Sequence, residues 1–340
     1  MQTSLSRIET EGKRESTGGK NLVKEPPVDL LSSHGKVRAR NLGDFIFKNL
    51  TLLFAFVVFS LVFVMAYEMY QGSSLSIDKF GWKFLWTSVW DPVSGEFGAL
   101  PYIYGTVMSS LVALVIALPL GLGVAVFLAE LSPRWLERPV SFLVELLAAI
   151  PSIVYGLWGM FVLVPLVRRA IGPYITSHLG FIPIFGGAPY GFGMLTAGII
   201  LAIMVLPIIT SISRDVMFAI PNTQREAALA LGATRWETTK IILSNARSGI
   251  LGATLLGLGR ALGETMAVTM VIGNMPQISM KLLDPGYSMA SVLANEFSEA
   301  TTNLYLSALV EVGLLLFGVT IILNALARLT VWTVTKRFAQ

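Results

Sequence analysis

The chain has no cysteine and only two histidines among its 340 residues. Without cysteine it has no disulfide, no thiolate metal site and no thiol nucleophile. The histidines, His34 and His178, lie far apart in the sequence and share no predicted helix with a carboxylate. We therefore expect no histidine-based metal site, no catalytic triad, and no metal or cofactor held by the chain itself.

A phosphate-binding loop is also missing. The motif GxxxxGK[ST], whose backbone amides cradle nucleotide phosphates, does not occur in the sequence. The fragment STGGKN lacks the first glycine and the Ser/Thr of that motif. The chain is therefore not expected to hydrolyse ATP in this way.

Charged residues are scarce, at 14% of the chain, whereas a soluble domain carries about 25%. Hydrophobic residues make up 54% and form repeated apolar blocks separated by polar segments. Blocks of roughly 20 apolar residues are long enough to cross a bilayer as helices. The sequence predicts an all-α membrane protein with spans at 45–67, 103–129, 140–167, 192–213, 249–272 and 304–327.

Two connecting segments have unusual compositions. Residues 168–191 are rich in glycine and proline, which favours a loop or a re-entrant piece over a simple span. The segment between the first two predicted spans carries Trp82, Trp86 and Trp90, which resemble the tryptophans that anchor proteins at a membrane interface.

The distribution of basic residues predicts the topology. Of 25 lysines and arginines, 19 lie on the side of the two termini, 5 on the opposite side, and Arg260 within a span. Because basic residues concentrate in cytoplasmic loops, both termini are expected in the cytoplasm. The predicted organisation is a disordered polar tail at 1–44, a first span with an extracytoplasmic segment at 45–100, a permease-like core at 101–330, and a short C-terminal tail at 331–340.

Residues 214–248, here called the coupling segment, form the most informative polar stretch. We expect a short helix from Gln224, a stop at Gly232 and a second amphipathic helix after it. By composition alone, an amphipathic segment lying on the bilayer surface is an equally good interpretation. The order Glu226-Ala227-Ala228, three residues, Gly232, nine residues, Ile242 resembles the EAA loop of ABC importer permeases. The usual Ile-x-Leu-Pro ending is altered here to Ile242-Leu243-Ser244-Asn245.

Several further segments resemble the PstC family, the phosphate-specific permeases of type I ABC importers. They are FGWKFLWTSVWDP, ELLAAIPSIVYGLWGMF, LAIMVLPII, GLGRALGETMAVTMVIGN and LANEFSEA. The resemblance implies a MetI-like permease in a bacterial plasma membrane. It also implies a second permease (PstA-like), two ATPases that bind ATP (PstB-like) and an extracytoplasmic phosphate-binding protein (PstS-like). The coupling residues Glu226, Ala227, Ala228 and Gly232 would dock on the ATPase.

Arg260 and Glu264 stand in the apolar run GLGRALGETMAV. Arg260 lies eleven residues beyond Gly249, or roughly 17 Å at 1.5 Å per residue, which places it near mid-membrane. One interpretation is that the two charges neutralise each other one helical turn apart. The other is that Arg260 contacts phosphate in a polar pathway and Glu264 positions it; we favour this one, because a mutual pair gains little over apolar residues. Glu145 and Glu311 are weaker pathway candidates.

Other functions stay open at this level. Arginine suits sulfate or molybdate as well as phosphate, so a permease for another oxyanion is the first alternative. An autonomous channel would have no use for a coupling segment. An integral-membrane enzyme would need a catalytic cluster that the sequence does not show.

Overall fold

The computed structural model describes residues 41–336, and this part of the chain is helical. It contains two isolated β-bridges, Asp91 with Glu96 and Gly273 with Gly286, but no strand among the described residues. Residues 1–40 of the predicted N-terminal tail and residues 337–340 of the predicted C-terminal tail lie outside the described part.

The helices, in chain order, are α1 (Asn41–Gly72), α2 (Ser74–Phe80), α3 (Lys83–Trp86), α4 (Leu100–Val126), α5 (Arg134–Ala149), α6 (Ser152–Trp158), α7 (Val164–Leu166), α8 (Gly172–Leu179), α9 (Met194–Phe218), α10 (Asn222–Ala230), α11 (Arg235–Leu262), α12 (Met266–Val271), α13 (Met289–Glu296) and α14 (Asn303–Lys336). Turns of π-helix at Phe127–Leu131, Gly159–Leu163 and Val167–Ile171 join or extend several of them.

Six helical segments of the described chain are long and apolar enough to cross a membrane. They are Gly43–Gly72, Leu100–Leu131, Ser152–Leu179, Met194–Phe218, Arg235–Leu262 and Asn303–Leu326. The prediction of a six-span all-α membrane protein is confirmed. The described chain divides at Ser60 into two compact units, and the unit from Leu61 onward holds the other five spans and every residue predicted for the site.

The central helix of the larger unit is α9, which packs on α4. Small residues set the close approach: a Cβ added to Gly121 would lie 3.1 Å from Ile209 Cγ2, and one added to Gly198 would lie 2.4 Å from Val112 Cγ1. The buried cluster between these helices includes Ala113, Ala117, Ile200, Leu201 and Val205. Without a hydrophobic drive between helices in lipid, such small-residue contacts are what hold membrane helices together.

The prediction for the third span is wrong at both ends. A single helix over 140–167 does not exist, because α5 ends at Ala149 and the third span begins at Ser152. Pro151 causes the break: it has no amide hydrogen and pushes the preceding residue out of the helical region, so Ile150 is extended, with ψ 128°. The helix then continues to Leu179, well into the segment that composition favoured as a loop.

The prediction for the fifth span is also wrong. One helix over 249–272 is replaced by α11, which begins at Arg235 and ends at Leu262, and by the separate α12. The second amphipathic helix expected in the coupling segment is thus the first part of α11. At 28 residues, α11 is roughly 42 Å long, longer than a ~30 Å hydrocarbon core.

The end of the bundle opposite the coupling segment, which we call the outer end, has a small aromatic core. Trp90 packs edge-on against Phe97 and Tyr102 and donates its indole N–H to Glu296 Oε2 at 2.8 Å. The Tyr305 hydroxyl donates to the same oxygen at 2.7 Å. The three tryptophans therefore differ: Trp82 and Trp86 are exposed, whereas Trp90 is half-buried in this aromatic core.

Candidate functional site: an intramembrane arginine and a coupling helix

The coupling segment folds as a helical corner. The short helix α10 begins at Asn222, two residues before the predicted start, and is closed by Gly232, as predicted. Gly232 has φ +83°, the left-handed conformation that glycine adopts most readily. The Gly232 amide donates to the Leu229 carbonyl and the Ala233 amide to the Ala228 carbonyl, at 3.0 and 3.1 Å, which is the Schellman pattern of a helix end.

The next helix starts with a complete capping box. The Thr234 amide donates to Glu237 Oε2 at 2.8 Å, and the Glu237 amide donates to Thr234 Oγ1 at 3.3 Å. Of the predicted coupling residues, Glu226, Ala227 and Gly232 are exposed and Ala228 is buried. The corner therefore presents a defined surface at the end of the bundle.

Arg225 connects this corner to the membrane helices and was not anticipated from the sequence. Its guanidinium donates to Glu130 Oε1 at 2.7 Å and to the backbone carbonyls of Met217 and Ile220, each at 2.9 Å. Only 8% of the Glu130 side chain is exposed. Nothing in the sequence marks this pair, since the residues are 95 positions apart.

Arg260 lies at half depth in the bundle. Three residues before it, a Cβ added to Gly257 would lie 2.6 Å from Cγ1 of Val205. Val205 is the twelfth of the 25 residues of α9, which as a span of roughly 37 Å crosses the whole hydrocarbon core. The predicted mid-membrane level of Arg260 thus agrees with the packing of α11 on α9.

The Arg260 side chain is exposed on the surface of this chain. It lies close enough to Tyr155 of α6 to interact with it electrostatically. Among the described residues, none of the ion pairs involves Arg260. The cation is therefore presented at mid-depth rather than neutralised within the chain.

The prediction that Glu264 lies one helical turn beyond Arg260 on the same helix is wrong. The helix ends at Leu262, and the buried Glu264 side chain accepts a hydrogen bond from the Ala267 amide at 3.3 Å, in the first turn of α12. The i, i+4 ion pair considered from the sequence is absent from the described residues. The break at 263–265 separates the two charges.

The glycines near Arg260 differ in their surroundings. Gly257 packs against Val205 and Ile209, as a small residue at a helix contact does. A Cβ added to Gly259 would meet nothing closer than Asn324 Oδ1 at 3.7 Å, and one added to Gly263 only its own helix at 3.6 Å. Gly259 therefore faces α14 with room for a small side chain, and Gly263 is exposed on the surface of this chain.

The two weaker carboxylate candidates lie in different environments. Glu145 is on α5, which is not one of the six candidate spans, and its mostly exposed side chain pairs with Arg214 at 3.4 Å. Glu311 is buried in α14, and its Oε2 has no hydrogen-bond partner among the described residues.

Comparison with known proteins identifies the family of this chain. The family model for binding-protein-dependent transport system inner membrane components matches residues 117–332. The phosphate transport system permease protein PstC of Mesorhizobium japonicum is 46% identical over 316 residues, which are 92% of this chain and 97% of that protein. The PstC protein of Haemophilus influenzae is 47% identical over 291 residues, 84% of this chain and 92% of that protein.

A solved structure shares the fold. An inward-facing MetNI methionine ABC transporter chain matches with a TM-score of 0.51 and 19% identity, over 68% of this chain and 94% of that chain. The six apolar helices and the family match together define a multi-pass permease of an ABC importer, one subunit of a transporter that has others. The chain belongs to the family of binding-protein-dependent transport system inner membrane components and, within it, to the PstC proteins.

Proposed function

We propose that this chain is the permease subunit of an ATP-driven importer for inorganic phosphate. It forms part of the translocation pathway and transmits motion from separate ATPase subunits, without catalysing a reaction itself. The substrate class is supported by relatives named as phosphate transport permeases at 46% and 47% identity. Both termini lie on the cytoplasmic side in this proposal, following the bias of basic residues.

The observation that carries the pathway is the exposed Arg260 at half depth. A cation on the lipid face at bilayer centre costs at least ~2.5–3.5 kcal/mol, so such residues face water or protein. A second permease (PstA-like) covers this face, and the pathway runs between the two subunits. The Arg260 guanidinium then offers planar, paired donors to phosphate oxygens.

Glu264 acts on the pathway through the backbone. Its carboxylate accepts a hydrogen bond from the Ala267 amide and so stabilises the start of α12. This contact keeps α12 separate from α11, which ends just after Arg260. It therefore lines the turn beside Arg260 without neutralising it.

The coupling corner is the proposed docking point for the ATPases (PstB-like). Glu226 and Ala227 are exposed on α10, together with Leu229 and Leu231, whose exposed fractions are 52% and 90%. Movement of the corner reaches the spans through the Arg225–Glu130 pair. A binding protein (PstS-like) delivers phosphate at the outer end.

The test is phosphate uptake by the complex reconstituted with its ATPases, second permease and binding protein. We expect Arg260→Gln to abolish uptake while all subunits still assemble. Arg260→Lys keeps the charge but loses the planar fork, and should retain part of the rate.

Wild-type uptake by the glutamine variant would contradict the role of Arg260. Substrate choice is tested separately by ATP hydrolysis with phosphate, sulfate or molybdate loaded on the cognate binding protein. Stimulation by sulfate or molybdate in place of phosphate would overturn the substrate assignment.

A further inference from the structure

Besides Arg260, two arginines at the outer end make no ion pair within the described chain. Arg168 and Arg169 stand on the π-helical turn Val167–Ile171 of the third span. They line a cavity of about 510 Å³ together with Val164, Pro165, Tyr190 and Phe192. The cavity lies between the span and the loop that leads into α9.

The loop side of the cavity is fixed by close backbone contacts. Gly191 has φ +92°, and an added Cβ would lie 2.6 Å from the Val164 carbonyl oxygen and 3.0 Å from Arg168 Cβ. The Thr196 hydroxyl donates to the Gly191 carbonyl at 2.5 Å. A Cβ added to Gly172 would lie 2.5 Å from Pro189 Cβ. The backbone on either side of Tyr190 is thereby held close to the turn that carries both arginines, and the partly exposed Tyr190 side chain lines the cavity.

The cavity has no counter-charge of its own. Within the described part of the chain, neither Arg168 nor Arg169 makes an ion pair. The acidic residue Asp284 lines a different cavity, which it shares with Tyr190, and its Oδ2 accepts a hydrogen bond from the Ser279 hydroxyl at 2.6 Å. Two guanidinium groups and a phenol therefore offer several donors and no acceptor of opposite charge, which suits an oxyanion with several oxygens.

We propose that Arg168, Arg169 and Tyr190 form a receiving site for a phosphoryl oxyanion at the outer end of the permease. It is the first contact of released phosphate with this subunit, before the mid-membrane Arg260. This inference rests on the proposed transport of phosphate. The headgroup phosphate of a lipid has the same chemistry, and the experiment separates the two sources.

The experiment uses the full complex in proteoliposomes, with inorganic phosphate supplied on the binding protein. The double variant Arg168→Gln/Arg169→Gln is compared with wild type and with Lys83→Gln, which removes an exposed cation from α3 at the same end. We expect the concentration of loaded binding protein at half-maximal uptake to rise about tenfold in the double variant, with a maximal rate within about twofold, because charge-assisted hydrogen bonds to the phosphate oxygens are lost. The control Lys83→Gln should match wild type. The variant Arg168→Lys/Arg169→Lys keeps both charges and should recover part of the loss.

Each other result overturns the proposal in a distinct way. If the uptake rate falls by the same factor at every concentration of loaded binding protein, the arginines bind a lipid headgroup or stabilise the fold instead. Weaker binding of unloaded binding protein to the variant complex assigns them to protein docking. If the half-saturating concentration of the double variant equals that of wild type, the arginines do not bind phosphate and the proposal is wrong. If the wild-type complex itself transports no phosphate, the proposed function is wrong. That result is read from the wild type alone and is distinct from any result of the variants.

Discussion

Among single residues, Arg225 and Glu130 make the ion pair that joins the coupling segment to the membrane-spanning helices. Two ion pairs in this chain have the same chemistry but different surroundings. The Glu130 side chain is 8% exposed and the Glu145 side chain, paired with Arg214, is 60% exposed. Burial decides how much such a pair contributes, because water screens the exposed one.

We expect Glu130→Ala to destabilise the chain by about 1–3 kcal/mol, because the partly buried Arg225 loses its counter-charge. The matched change Glu145→Ala should cost no more than about 1 kcal/mol. Thermal unfolding of the purified chain in detergent checks both. Equal shifts in the two variants would contradict the role given to burial here.

The same Glu130 variant tests transmission. If the Arg225–Glu130 pair carries movement from the coupling corner to the spans, Glu130→Ala should lower uptake more than it lowers phosphate-stimulated ATP hydrolysis in the reconstituted complex. Parallel losses of both rates would mean that the pair only stabilises the fold.

Among the helices, α4 shows how glycine permits one contact and is dispensable at another position. A Cβ added to Gly105 would lie 2.1 Å from the Tyr287 carbonyl oxygen, which is backbone and cannot turn aside. A Cβ added to Gly123, on the same helix, meets nothing within 4 Å. Gly105 thus fixes the approach of α4 to the loop before α13.

We expect Gly105→Ala to cost about 1–3 kcal/mol or more through overpacking. Gly123→Ala should be neutral or stabilising by up to about 1 kcal/mol, because alanine favours the helix. Thermal midpoints of the two variants in detergent give the comparison. A Gly105 variant as stable as wild type would show that the loop moves freely away from α4.

Helix ends in this chain are set by local chemistry that a hydropathy pattern does not carry. Pro151 ends α5, whereas Pro119 and Pro207 lie inside α4 and α9 without ending them. In a membrane bundle, neighbouring groups satisfy the backbone that proline frees, so proline and glycine do not by themselves exclude a span. That is why the glycine- and proline-rich stretch still continues the third span to Leu179.

On the scale of the whole molecule, the two ends of the bundle expose different apolar side chains. Leu231 is 90% exposed on the coupling corner, and Val93 is 97% exposed at the outer end. Leu231 lies on the corner that is the proposed docking point for the ATPases, whereas Val93 lies at the opposite end of the bundle. The proposed ATPase contact should therefore depend on the first residue and be indifferent to the second.

We expect Leu231→Asp to lose the ATPase on co-purification while the second permease stays bound, because a carboxylate would be desolvated in an apolar contact. Val93→Asp, which places the same charge at the opposite end, should retain the ATPase. Retention of the ATPase by the Leu231 variant would place the docking surface elsewhere on the corner.

The amino-acid sequence by itself determined the number of spans, the helical class and the place of the coupling corner. These follow from the length of apolar runs and from the Gly232 turn, which are local properties of the chain. It also marked Arg260, because a charge in an apolar run stands out against its neighbours.

Only the tertiary structure decided how these parts are joined. It separated Arg260 from Glu264 by ending α11 at Leu262, paired Arg225 with Glu130 across 95 positions, and placed Arg168 and Arg169 in a cavity with Tyr190. Such contacts depend on which helices pack together. Packing depends on the fit of small side chains that are far apart in the sequence, so a local sequence pattern does not predict it.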